Sequence, residues 1–181
     1  MHILDILQNS VEAGASRVEL SVDEDTASDR LTITVRDNGR GMDAAQIARA
    51  TDPFFTTRTT RHVGLGLPLL AAAAEHCDGG LHITSVPGTG TTVEAVFRHS
   101  HIDRAPLGDV KGSLLAFMMS DSVAKRCDLC YRHRVDDREF AFDTADIRRE
   151  LEDVPLSHPM VRGWLKELIA EGEKDVYEAV P

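Results

Sequence analysis

Apolar residues recur with two rhythms along the first hundred positions. Ile3, Leu4, Ile6, Leu7 and Val11 fall on the inner side of a helical wheel and Gly14 follows in a stop position, so residues 2–14 read as a helix. Ser16 to Asp23 alternates instead, with Val18, Leu20 and Val22 on one face of a strand, and Leu31 to Arg36 repeats the pattern. Acidic, polar Asp23 to Arg30 reads as the turn of a hairpin that carries Asp37 to its edge. Asp43, with Gln46 three residues on, predicts a capped short helix over Ala44 to Ala50. From Thr51 to Val63 no period survives, the mark of a long irregular loop. Leu67 to Cys77 resumes as a helix with Pro68 in its first turn, and Asp78-Gly79-Gly80 stops it. Leu81 to Val86 and Thr91 to Arg98 are two more strands, joined by Pro87-Gly88-Thr89-Gly90.

His99 to Gly108 marks a junction, dividing the chain into residues 1–105 and 106–181. Beyond it come a helix over Gly112 to Ala124, strands over Cys127 to Val135 and Glu139 to Phe142, and helices over Thr144 to Glu152 and Pro159 to Glu171. The expected fold class is α/β of the α+β kind: a two-layer sandwich with a mixed, largely antiparallel sheet and helices on one face. The C-terminal α-β-β-α-α extension either stands alone or continues that sheet.

Composition narrows the class of protein. With 42% hydrophobic residues in 181, the chain has material for a real core, and no apolar run reaches membrane-spanning length. Met1-His2-Ile3-Leu4-Asp5 has neither a basic start nor a signal-type stretch, so a cytoplasmic protein is expected. A formal net charge of -10 disfavours nucleic acid and anionic membranes as partners. Cys127 and Cys130 have metal-type spacing but no second pair to complete a zinc site, and on a strand they point to opposite faces; they read as ordinary buried thiols.

Candidate chemistry centres on Asp37-Asn38-Gly39-Arg40-Gly41-Met42, a carboxylate and two glycines at the end of an apolar strand. Upstream, Asp5 and Asn9 share one helix face, four residues apart. Downstream lie Asp52-Pro53-Phe54-Phe55-Thr56-Thr57-Arg58, then Gly64-Leu65-Gly66-Leu67, then Gly88-Thr89-Gly90-Thr91-Thr92. Five such elements in this order resemble the ATPase superfamily of histidine kinases, DNA gyrase, the large heat-shock chaperone and MutL-type repair proteins, over roughly residues 1–98. DPFFTTR with GLGLPL looks most like sensor histidine kinases, whereas QNSVEAGASRVEL looks more like the MutL type.

The resemblance implies a Bergerat-type ATP-binding fold with ATP and Mg²⁺ as ligands. It implies that Asp37 accepts from the adenine amine, that Gly39 and Gly41 let backbone lie against the purine, that Met42 forms an apolar wall, and that Thr92 or Thr91 supports recognition. Asn9 is the implied Mg²⁺ ligand. The N–H groups of Gly64, Leu65, Gly66 and Leu67 would hold phosphate oxygens, with Arg58 and Arg61 closing on the γ-phosphate from a lid that also carries Thr57. Asp5 stands where hydrolysing relatives usually have a water-orienting Glu, one methylene longer, and Glu12 is an acid placed to hold a metal-bound water. His76 closes a helix and reads as structural, so a phosphoacceptor is expected on another protein. Three outcomes stay open: a kinase acting in trans on a partner protein, a slow ATPase that switches a partner interaction, or a non-catalytic module stabilised by nucleotide.

Overall fold

Leu20 and Val22 in β1 (Arg17–Asp25) lie opposite Val35 and Ile33 in the antiparallel neighbour β2 (Arg30–Asp37), so both strands turn the same apolar set to one side. Val93, Ala95 and Phe97 of β4 (Gly90–Arg98) continue those rows across β2, and β3 (Gly80–Val86) pairs antiparallel outside β4. The computed structural model describes residues 3–52, 65–120 and 127–178.

On the far side of β1 the C-terminal half joins the same sheet. β5 (Asp128–Val135) runs parallel to β1, and β6 (Arg138–Asp143) closes antiparallel on β5, giving the order β3-β4-β2-β1-β5-β6. A parallel neighbour requires a crossover, and the segment containing α4 (Val110–Met119) supplies it. One apolar core runs from Ile3 and Leu7 of α1 (Ile3–Glu12), through Leu70 of α3 (Gly66–His76) and Phe117 of α4, to Ile147 of α5 (Thr144–Leu151) and Leu165 of α6 (Pro159–Tyr177). The fold is therefore the expected α+β sandwich with a mixed, largely antiparallel sheet. Its open face is polar: Ser21, Asp23, Thr32, Thr34, Glu94 and Arg134 line a shallow hollow of about 290 Å³.

Four expectations shift. Ser10 joins Ile3, Ile6 and Leu7 as the fully buried positions of α1, while Leu4 and Val11 pack half-buried against the core from its inner side. β1 extends through Asp25, where a turn was expected, because Glu24 is buried and fully partnered at 4% exposure. Asp37 ends an interior strand between β1 and β4 and is not at a sheet edge. The last helix runs on to Tyr177, past Glu171. The capping box of Asp43 and Gln46 forms as expected at the start of α2 (Ala44–Arg49).

Candidate functional site

The side chain of Asp37 falls on the helix-covered face of the sheet, in step with Leu31, Ile33 and Val35. Its carboxylate is held from several elements at once. Oδ1 accepts from the Gly39 N–H at 2.8 Å and the Thr91 N–H at 3.3 Å, and Oδ2 accepts from the Ser10 hydroxyl of α1 at 2.8 Å. These donors leave Oδ2 with unused acceptor capacity, since a carboxylate has about four lone-pair sites.

Thr91 sits opposite Asp37 on β4, and Ser85 sits opposite Thr91 on β3, so the three share a row on one face. The Ser85 and Thr91 hydroxyls are 2.9 Å apart, and Ser85 Oγ also receives the Met42 N–H at 2.8 Å. Strand alternation puts Thr92 on the other face, away from Asp37. Of the two threonines considered, Thr91 is thus the one that keeps company with Asp37. Sequence reasoning missed Ser10 and Ser85; the helical period at position 10 and the two-residue period along β3 were the available signals.

The glycine-bearing loop after β2 is shaped by the chain's own packing. A Cβ on Gly39 would come within 2.8 Å of Ala13 Cβ, and one on Gly41, at φ +67°, within 2.1 Å of the Val86 carbonyl oxygen. Arg40 ties the loop to the end of α1, its N–H donating to the Ala13 carbonyl at 2.9 Å. Asn38 turns inward on the chain, accepting from the Ser16 and Arg17 N–H groups at 2.9 and 3.0 Å.

Asp5, Asn9 and Glu12 form an i, i+4, i+7 stripe on α1, away from its core-facing side. Asn9 directly precedes Ser10, which touches Asp37. The start of α3 comes up against this stripe: a Cβ on Gly66 would be 2.9 Å from Asp5 Cβ. Leu65, the N-cap residue of α3, has no side-chain acceptor, and Gly66 and Leu67 begin the helix with their N–H groups at its positive end. Thr57, Arg58, Arg61 and Gly64 lie outside the described residues.

A second polar cluster lies deep between sheet and C-terminal helix. His133 on β5 contacts Glu24 Oε1 at 3.1 Å and Glu173 Oε2 at 2.9 Å. Glu24 also accepts from the Tyr177 hydroxyl and contacts His99 Nε2 at 2.6 Å, while the Tyr131 hydroxyl donates to Glu173 at 2.7 Å. Burial alone would raise the Glu24 carboxyl, but the hydrogen bonds from His133, Tyr177 and His99 outweigh it and hold it down at about 2. Burial would likewise lower His133, yet its bonds to Glu173 and Glu24 push it up to about 9. This cluster fastens α6 to β1 and β5.

The cysteines divide as strand alternation requires. Cys127 lies in the core, its thiol pushed up to about 11 chiefly by burial, and Cys130 projects to the opposite face.

An acid at the end of an inner strand, a polar helix stripe beside it and a glycine-led helix across from that stripe thus come together on the helix-covered side of the sheet. Residues 2–101 match the family described as histidine kinase-, DNA gyrase B-, and HSP90-like ATPase, and the chain belongs to that family. Membership makes it an ATP-binding domain of the histidine-kinase type. It is 38% identical over 109 residues to the sensor protein kinase FleS of Pseudomonas aeruginosa, covering 60% of this chain and 26% of that one. It is 35% identical over 91 residues to the signal transduction histidine-protein kinase AtoS of Escherichia coli, covering 50% and 15%. The chain thus spans about a quarter or less of the length of these relatives. In fold it resembles a crystal structure of the N-terminal domain of a DNA repair protein, with a TM-score of 0.53, 13% identity, and coverage of 77% of this chain and 50% of that one. Among the described residues, no helix is long and apolar enough to cross a membrane.

Proposed function

We propose that the chain is a Mg²⁺-dependent nucleotide unit that binds ATP between α1, the end of β2 and the start of α3, and hydrolyses it or passes its γ-phosphate to a partner protein. The observation that carries the reading is the support of Asp37 by Ser10, Gly39 and Thr91, which leaves an acceptor on Oδ2 to meet an exocyclic amine. A base presenting a carbonyl there would leave acceptor facing acceptor, and such mismatches discriminate strongly.

Asn9 offers a neutral side-chain oxygen suited to Mg²⁺, which prefers oxygen ligands and retains waters and phosphate. Bound there, the ion would neutralise triphosphate charge. The N–H groups at the start of α3 would favour phosphate oxygens, and Asp5, which lies beside Gly66, would orient a water or acceptor hydroxyl. Arg58 and Arg61 complete the proposed phosphate contacts, with Thr57 and Gly64 in the same segment and Glu12 holding a metal-bound water. Residues 1–105 would form the nucleotide-binding part and 106–181 an extension that shares its sheet, in a cytoplasmic unit.

Isothermal titration of the full chain with ATP and Mg²⁺ tests the binding role, with Asp37→Asn expected to abolish measurable affinity. Full affinity in that variant would remove Asp37 from adenine recognition. Incubation with γ-labelled ATP and cell extract then separates activities: labelled protein supports transfer, labelled free phosphate supports hydrolysis, and neither supports a non-catalytic module.

A further inference from the structure

Ser85 touches three polar atoms and owns one proton. Its Oγ lies 2.8 Å from the Met42 nitrogen, 2.9 Å from the Gly90 carbonyl oxygen and 2.9 Å from Thr91 Oγ1. The Met42 N–H can only donate and the Gly90 carbonyl can only accept. Satisfying both assigns the Ser85 proton to Gly90, so the contact with Thr91 forms only if Thr91 donates to Ser85.

We infer that Ser85 is a positioning residue that sets the hydrogen-bond polarity of the nucleotide site, an assignment that rests on the adenine role proposed for Asp37. With its proton committed to Ser85, Thr91 Oγ1 has only lone pairs left to present beside Asp37. The row Asp37-Thr91 then forms an acceptor-only wall. Adenine, with an exocyclic amine, meets this wall with donors. Guanine presents a carbonyl oxygen at the corresponding position and meets it with an acceptor. Ser85 would thus sharpen selection of adenine over guanine without touching the base. The same hydroxyl, by receiving the Met42 N–H, joins the loop after β2 to the start of β4, so base wall and loop are oriented together.

The test is the ratio of ATP to GTP affinity, measured by titration of the full chain with Mg²⁺. Wild type is expected to prefer ATP. Ser85→Ala frees the Thr91 proton to turn toward a guanine carbonyl and should narrow the ratio by about five- to tenfold, the scale of one hydrogen bond. Ser85→Thr, which keeps the hydroxyl on a strand residue, should restore it. A Ser85→Ala chain that loses ATP and GTP affinity equally, leaving the ratio intact, would show a merely structural role and overturn the assignment. Thr91→Val gives an independent reading should Ser85→Ala not fold: removing an acceptor must narrow the ratio, and a widened ratio would show that Thr91 donates into the site. Wild type binding neither ATP nor GTP would defeat the nucleotide reading itself, whereas an ATP-selective wild type with an unmoved Ser85→Ala ratio defeats only this inference.

Discussion

The hydroxyl of Ser10 meets Asp37 Oδ2 at 2.8 Å, joining the inward side of α1 to the end of an inner strand 27 residues away. Ser10 is 3% exposed, so its proton has little competition from water. Through this bond the helix that carries Asp5 and Asn9 is indexed against the acid proposed to read the base.

Ser10→Ala should therefore weaken ATP binding more than it weakens the fold. A hydrogen bond to a charged group contributes about 1.5 to 3 kcal/mol, so a loss of at least about tenfold in ATP affinity is expected. Titration calorimetry checks the affinity and urea unfolding the stability. Unchanged affinity would show that Asp37 needs no help from α1.

Mg²⁺ removal should act on the phosphate end alone. In excess EDTA, ATP affinity should fall while adenosine affinity holds, because adenosine has no phosphate for the ion to neutralise. Asn9→Ala should reproduce the EDTA result in the presence of Mg²⁺. An adenosine affinity that drops with EDTA would mean that the ion supports the fold instead.

Gly41 offers a test that separates packing from binding. At φ +67° and with the Val86 carbonyl oxygen 2.1 Å from where a Cβ would stand, Gly41→Ala must displace the loop. Strain of this kind costs about 1 to 3 kcal/mol before the clash is counted, so thermal unfolding without nucleotide should show a clear loss. A stable Gly41→Ala chain that fails only in ATP binding would place the glycine's role at the ligand.

The buried cluster around His133 should make stability depend on pH at both ends. His133 faces Glu24 of β1, Tyr131 of β5 and Glu173 and Tyr177 of α6, and its raised value of about 9 stabilises fully below its ordinary 6.5. That contribution drains away as pH climbs through 9. Glu24, lowered to about 2 from an ordinary 4.5, contributes fully above 4.5 and loses it as pH falls through 2. Both contributions are complete between about pH 4.5 and 6.5. His133→Gln removes the imidazole from between buried Glu24 and half-buried Glu173, which costs about 3 to 5 kcal/mol, and should flatten the alkaline decline. Urea unfolding at pH 6 and pH 10 measures both effects. A wild type equally stable at the two values would deny His133 its charge.

Much of this protein was legible in the linear chain. Two-residue alternation in Val18, Leu20 and Val22 and in Leu31, Ile33 and Val35 fixes strands locally, because a side chain on a pleated strand has only two sides to choose from. Gly14 as a helix stop and the Asp43 and Gln46 cap are equally local, since their hydrogen bonds close within one turn. The ordered motifs from Asp5 to Thr92 carry the family's pattern in the linear chain alone.

Tertiary structure alone decided the rest, because it depends on partners far away in sequence. Glu24 reads as part of a polar turn until His133, 109 residues later, is brought beside it and lets a carboxylate survive in the core. Ser10 looks like a gap in an apolar stripe until Asp37 lies beneath it, and Ser85 and Thr91 acquire a shared polarity only when β3 and β4 align them in one row. That β5 adds beside β1 in parallel is equally hidden in the residues themselves: each strand's pattern states which face is buried, but which neighbour it pairs with is settled by how the whole core closes.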